Sequence, residues 1–191
     1  MLATVSLETA RSLLNTEHQE VEALLNTLTP EEMTHPDTIR HGLFWGQHWS
    51  FKDLLAHLIT YEALAIDAHA SWINGERHWS LNEVETSAGS ENIHNEGVAN
   101  RRHLSLDAVL DEWHANQREL TAVLENLTEE QWQSPAPFET TADHPYNLGG
   151  VFEAIIAPVT RRPIYRHLPV HIPDYAEYLR QLRSVDQIKQ Q

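Results

Sequence analysis

The sequence predicts an all-α protein, a four-helix bundle with a long crossover between its second and third helices. Apolar residues recur every three or four positions through four segments, which is the pattern of amphipathic helices. No segment combines alternating apolar and polar residues with an excess of β-branched side chains, so we predict no β-sheet. The chain has 191 residues, the size of one ordinary domain, and we expect residues 1–191 to form a single bundle.

The first two predicted helices have recognisable ends. The first runs from about Ser6 to Thr27, with its leucines on one face. The second begins after Ser50, a residue type that caps helix N-termini, and Asp53 three positions later favours the start by capping and by its charge. This helix ends at Asn74-Gly75, because glycine commonly follows the last turn of a helix.

The second half of the chain holds the other two helices. The third starts near Ser105 and keeps its apolar residues on one stripe as far as Leu127, and the fourth lies within residues 147–184. The segment Arg77–Arg102 is polar and only weakly periodic. Because it is too long for a tight turn, we predict a crossover with some helix around Glu91–Arg101.

A faint internal repeat follows the first and third helices. Leu-Thr-Pro-Glu-Glu-Met at 28–33 parallels Leu-Thr-Glu-Glu-Gln-Trp at 127–132. In each copy a threonine can cap a short helix, with Glu32 or Gln131 at the third helical position, as in a capping box. The repeat indicates either two related helix pairs or the chance recurrence of a common turn.

Composition restricts the partners of the protein. The net charge is −15 with histidines neutral, and there is no cysteine. So acidic a surface repels phosphate, so we expect neither nucleic acid nor an anionic membrane surface as a partner. No apolar run approaches the roughly 18 residues of a membrane span, and the N-terminus does not resemble a secretion signal. These features and the lack of cysteine favour a cytoplasmic protein.

Three histidines are the strongest candidates for chemistry. His57 follows Leu54 by three residues and precedes Tyr61 by four, so it belongs to the buried stripe of the second helix. His167 and His171 are four apart and share one helical face. Leaving a buried polar group unpaired costs about 1–3 kcal/mol, and a shared metal ion would satisfy all three rings together. The spacing alone is weak evidence, however, because the chain contains 13 histidines.

Several motifs occur in the order typical of a known family. They are Trp-Ser-Phe-Lys-Asp-Leu-Leu-Ala-His-Leu at 49–58, Ile-His-Asn-Glu at 93–96, Leu-Thr-Glu-Glu at 127–130, and Tyr-Arg-His at 165–167 with His-Ile at 171–172. This arrangement resembles the DinB-like superfamily of metal-binding four-helix bundles, particularly its ClbS-like and maleylpyruvate-isomerase-like branches. The resemblance implies that His57, His167 and His171 bind a divalent metal ion, with water completing the coordination. Because the chain has no cysteine, histidine is the ligand type left for a borderline-soft metal such as zinc or nickel.

The last helix departs from the family pattern. Family members usually run an unbroken helix through the final histidine pair, whereas Pro163, Pro169 and Pro173 interrupt it here. A proline inside a helix loses a hydrogen bond and costs about 3 kcal/mol. Either the helix kinks at Pro169, or it ends there and restarts at Pro173 with His171 in the joint. The second alternative would loosen the geometry of the ligands.

Other polar residues are weaker candidates. His18 lies on the apolar side of the first helix, and a satisfied core histidine is the simpler interpretation. Glu62 could act as a general base, although a solvated helix face is the common place for a glutamate. Asn95 and Glu96 could supply polar contacts near the metal ion.

Two kinds of function are compatible with these features. The first is a metal-dependent enzyme, a transferase or hydrolase, that acts on a small electrophilic molecule by thiol-dependent transfer or isomerisation or by hydrolysis. The alternative is a non-catalytic protein that binds or sequesters a small molecule and uses the metal structurally. We also expect a homodimer, because bundles of this family often pair and the six tryptophans exceed what one core of this size requires.

Overall fold

The computed structural model describes residues 2–36, 48–140 and 145–156, together with residues 180 and 183. Within these ranges the chain is helical and forms no strand; Pro135 and Asn147 make an isolated antiparallel bridge. The helices described are α1 (Leu7–Leu25), α2 (Pro30–Thr34), α3 (Phe51–Ile73), α4 (Ser80–Val84), α5 (Ser87–Ala99), α6 (Leu106–Asn126), α7 (Glu129–Trp132) and α8 (Leu148–Ile156). The all-α prediction is confirmed. None of the helices in the described ranges combines the length and apolar character that a membrane span requires.

The predicted ends of the second long helix, α3, are confirmed. The Ser50 side chain accepts the backbone N–H of Asp53, and the Asp53 carboxylate accepts the backbone N–H of Ser50. At the other end Gly75 has a φ of 77°, a left-handed conformation that glycine adopts at little cost. These local signals determine where α3 starts and stops.

The two copies of the internal repeat form the same local structure. Thr29 and Glu32 make a complete capping box at α2, and Thr128 and Gln131 make one at α7. The residue after each box, a methionine in α2 and a tryptophan in α7, is buried. Each short helix therefore follows a long helix, α2 after α1 and α7 after α6, and buries one large side chain in the core.

The central helix is α3, which packs against α5, α6 and α8. The first half of α3 packs in one core cluster with α2, with the C-terminal end of α1 and with the N-terminal end of α6. The second half of α3 packs in another core cluster, which includes residues of α4, α7 and α8. The apolar stripes face the core as expected: Leu54, Leu58, Val109, Leu120 and Leu124 are buried, and Leu110 is partly buried. The apolar residues Ile172 and Tyr175 of the fourth predicted helix lie outside the described residues. The fourth predicted helix begins as α8.

The crossover contains more helix than the sequence pattern indicated. It forms α4 and then α5, which starts before the predicted Glu91. The periodicity of α5 is weak because its buried face is narrow and includes glycines. At Gly97 the backbone of α5 lies so close to Thr60 of α3 that an added Cβ would collide with the threonine side chain. Tertiary packing thus stabilises a helix that the local sequence favours only weakly.

Candidate functional site

His57 lies in the middle of α3 and is completely buried, with an exposed fraction of 0%. Its ring centroid is 5.0 Å from that of Tyr61, one turn later, and 5.7 Å from that of Trp49, which precedes the helix. The predicted placement of His57 on the buried stripe is therefore confirmed. A polar ring at such a position requires hydrogen-bond partners.

Helix α5 supplies a partner for His57. The Nδ1 atom of His94 lies 3.0 Å from Nδ1 of His57 and 3.0 Å from the hydroxyl oxygen of Tyr61. The Tyr61 hydroxyl also lies 3.4 Å from the hydroxyl oxygen of Ser90, one turn before His94 on α5. We call these four residues, His57, Tyr61, Ser90 and His94, the α3–α5 cluster.

Burial determines the charge of this cluster. It lowers the pKa of His94 to about 4, because the imidazolium form would lose its hydration inside the core. It raises the pKa of the Tyr61 phenol well above its usual range for the corresponding reason. Near neutral pH, His94 is therefore an uncharged imidazole and Tyr61 a protonated phenol. An uncharged imidazole is the form that binds a metal ion.

A second buried group joins α1, α3 and α6. His18 Nε2 lies 2.8 Å from Oε1 of Glu62, and Asn116 donates from Nδ2 to Oε2 of Glu62 over 2.8 Å. The His18 ring also meets the ring of Trp113 edge-on, with centroids 5.5 Å apart. We call His18, Glu62 and Asn116 the α1–α3–α6 cluster.

This second cluster corrects one expectation and confirms another. Glu62 does not lie on a solvated face, because only 4% of it is exposed and partners engage both of its carboxylate oxygens. Such bonds offset the cost of removing a carboxylate from water. The interpretation of His18 as a satisfied core histidine is confirmed.

The structure also shows which α5 residues the sequence interpretation misplaced. Asn95 and Glu96 are exposed and point away from the core, whereas His94 is buried. One signal could have identified His94, because it follows Ser90 by four residues and precedes Gly97 by three, the spacing of one helical face. The weak periodicity of the crossover hid that face.

The other two predicted ligands, His167 and His171, lie outside the described residues. Pro169, where the sequence predicts a kink or a break in the last helix, lies outside them too. In the ranges that the structure does describe, no group of three histidine, aspartate or glutamate side chains is arranged to hold a metal ion. Of the predicted triad, the structure therefore places His57 alone.

Comparisons with known proteins agree with this architecture. The family model of the DinB superfamily matches residues 13–157. No curated protein matches the chain.

Solved structures with a similar fold include an uncharacterised protein from Escherichia coli UTI89, with 15% identity, a TM-score of 0.61, and coverage of 97% of this chain and 96% of that one. They also include the colibactin self-resistance protein ClbS in complex with a dsDNA, with 14% identity, a TM-score of 0.59, and coverage of 95% and 96%. At such low identities the likeness shows the shared fold alone. The family match, which spans most of the chain, shows that this protein belongs to the DinB superfamily.

Proposed function

We propose that the protein is a metal-dependent enzyme that acts on a small electrophilic molecule. In this proposal His57, His167 and His171 hold a divalent ion, zinc or nickel. The observation that carries it is the complete burial of the His57 imidazole, with the second imidazole of His94 3.0 Å away. Membership of the DinB superfamily supports the same ligand set.

The described residues fit such an ion by their chemistry. The chain has no cysteine, so imidazole is the remaining ligand type that prefers zinc or nickel over magnesium or calcium. His57 lies in a pocket of aromatic and imidazole rings, formed by Trp49, Tyr61 and His94.

The chemistry that a zinc or nickel ion supplies at such a site is a water or thiol nucleophile at neutral pH. The protein contributes a rigid and dry setting. Trp49 and Tyr61 cover two sides of the His57 ring and exclude bulk water there. Tyr61 keeps its proton near neutral pH and so holds a hydrogen-bond donor inside the cluster.

The class of reaction follows from the nucleophile. We propose thiol-dependent transfer or isomerisation, or hydrolysis, of a small molecule. ClbS is described as a colibactin self-resistance protein, which supports a protective role among these possibilities. The ClbS structure holds a dsDNA, but a net charge of −15 favours a small-molecule partner for this chain.

Metal analysis tests the proposal. We expect purified protein to bind zinc or nickel, and we expect separate His57→Ala, His167→Ala and His171→Ala variants to lose most of that metal. His103→Ala, at an exposed histidine, is the matched control and should retain it. Equal metal content in all four variants would overturn the proposed centre.

A second measurement separates the enzyme from a binding protein with a structural metal. Metal-loaded protein is incubated with glutathione and an α,β-unsaturated carbonyl compound, and with an activated ester in the absence of thiol. Repeated turnover by the wild-type protein but not by His57→Ala supports the enzyme. Stoichiometric binding of these probes without turnover supports the non-catalytic alternative.

We also propose that residues 1–191 form one domain and that the protein is a homodimer. Two exposed apolar side chains near the C-terminal end of α3, Ile73 at 70% and Trp79 at 54% exposure, support a contact surface there. Sedimentation at tens of micromolar should show a dimer, and Trp79→Ser should weaken it. A wild-type monomer under these conditions would contradict the proposal.

A further inference from the structure

We infer that His94 is a positioning residue for the metal centre. It accepts a hydrogen bond from Nδ1–H of His57 and so makes Nε2 of His57 the coordinating nitrogen. This inference rests on the proposed function, because it assigns a role toward the ion that His57 is proposed to bind. His94 itself does not coordinate in this arrangement.

The contact between the two rings carries the argument. The Nδ1 atoms of His57 and His94 are 3.0 Å apart, which is a hydrogen-bond distance. A neutral imidazole has one N–H and one nitrogen lone pair, so one of these two atoms must carry a proton and the other must not. The contact therefore has two possible directions, and they differ in what they leave on the other nitrogen of His57.

Only one direction is compatible with a metal ligand. If His57 donates, its lone pair lies on Nε2, at the opposite edge of the ring from His94. If His94 donates, the Nδ1 lone pair of His57 is used in the hydrogen bond and Nε2 carries the proton. Histidine ligands in proteins generally donate their second ring nitrogen to an acceptor, which fixes both tautomer and ring orientation. His94 is placed to be that acceptor.

The acceptor is itself held in place by α3 and α5. The Tyr61 hydroxyl oxygen is 3.0 Å from Nδ1 of His94, closer than to the Ser90 carbonyl oxygen at 3.5 Å. When Tyr61 donates its proton to Nδ1 of His94, that nitrogen carries no proton of its own and is an acceptor. Gly97 follows His94 by about one helical turn, and the close approach of α5 to α3 at Gly97 sets the separation of the two helices there. His94 is therefore fixed by contacts independent of the ion, as a positioning group must be.

The first test reads the tautomer directly and needs no substitution. Long-range ¹H–¹⁵N correlation of the histidine rings in metal-free wild-type protein should show the His57 proton on Nδ1. Assignment uses the signal that disappears in His57→Ala. A His57 proton on Nε2 overturns the inference.

The second test uses cobalt(II) as the probe, because its visible absorption reports the number and type of ligands. We compare His94→Leu with His94→Gln, which has a similar size but retains an acceptor oxygen, and with His103→Leu as an exposed control. His94→Leu should bind cobalt about 10–100-fold more weakly with an unchanged spectrum. His94→Gln should recover part of the affinity, and His103→Leu should match the wild-type protein.

Each contrary result has a defined meaning. A spectrum in His94→Leu that has lost a nitrogen ligand shows that His94 coordinates, and unchanged affinity in both His94 variants shows that it does not position His57. Either result overturns the inference while leaving the proposed function standing. Wild-type protein that binds neither cobalt nor zinc overturns both. Circular dichroism of each variant confirms that helix content is retained, and the wild-type tautomer decides the matter if a variant fails to fold.

Discussion

Glu62 of α3 and His18 of α1 lie side by side in the core, with Oε1 of the carboxylate 2.8 Å from Nε2 of the imidazole. The second carboxylate oxygen accepts the amide of Asn116 from α6. One buried carboxylate thus connects three long helices that are far apart in sequence. Buried polar contacts of this kind favour one arrangement of helices over others, because any shift leaves a polar group without a partner.

Loss of the carboxylate should destabilise the bundle. Glu62→Ala leaves the polar groups of His18 and Asn116 without their buried acceptor, which costs about 1–3 kcal/mol for such a group. We expect a loss of unfolding free energy of at least that size in urea denaturation. Glu119→Ala, at an exposed glutamate of α6, is the control and should change stability by about 0.5 kcal/mol or less. Equal losses in the two variants would contradict the role of the α1–α3–α6 cluster.

The two capping boxes should make similar contributions to the free energy of unfolding if the two copies of the repeat have the same structural role. Thr29→Ala and Thr128→Ala each remove the side chain that accepts the N–H of the third helical residue. Loss of such a cap costs about 0.5–2 kcal/mol. Thermal unfolding monitored by circular dichroism measures both losses. Thr121→Ala, at an exposed position within α6, provides the control, since alanine there replaces no cap.

The ion pair of Glu32 and Arg183 should make stability depend on pH. Arg183 donates to the Glu32 carboxylate from Nε at 2.8 Å, and this hydrogen bond lowers the pKa of Glu32 below 4.5. A carboxyl group whose pKa is lower in the folded state than in the unfolded state stabilises the protein at pH values above its unfolded-state pKa. That contribution is lost as the pH falls through the folded pKa.

Arg183→Ala tests this dependence. At pH 7 we expect the variant to be less stable by about 0.2–1 kcal/mol, because the pair is partly exposed and solvent screens it. The difference from wild type should shrink as the pH is lowered through the pKa of Glu32. Arg118→Ala, at another exposed arginine, should show no such trend. A difference that grows toward low pH would refute the assignment.

Metal addition should stabilise the native protein by mass action. Zinc at a hundred times its dissociation constant should raise the unfolding free energy by about 2.7 kcal/mol, because the ion binds the folded state alone. Thermal melts with zinc and with a chelator measure the difference. His57→Ala should melt at the same temperature in both solutions, and a metal response that persists in this variant would place the ion elsewhere.

Local signals in the sequence determined the helices and their ends. Ser50 and Asp53 form the predicted capping box, Gly75 ends α3 in a left-handed conformation, and the buried stripe of α3 includes His57 as predicted. These features depend on residues within one turn of each other, where steric and hydrogen-bond preferences act directly. The order of motifs along the chain was also sufficient to identify the family.

Contacts between distant residues were decided only by the tertiary structure. The burial of Glu62 depends on His18 and Asn116, which are 44 and 54 residues away in the chain, and no local pattern encodes that meeting. The contact of His94 with His57 likewise depends on the packing of α5 against α3, and the glycine that permits their close approach also weakens the helical pattern of α5. Periodicity shows which face of a helix is buried, but a polar residue on that face acquires its function from the helix that packs against it.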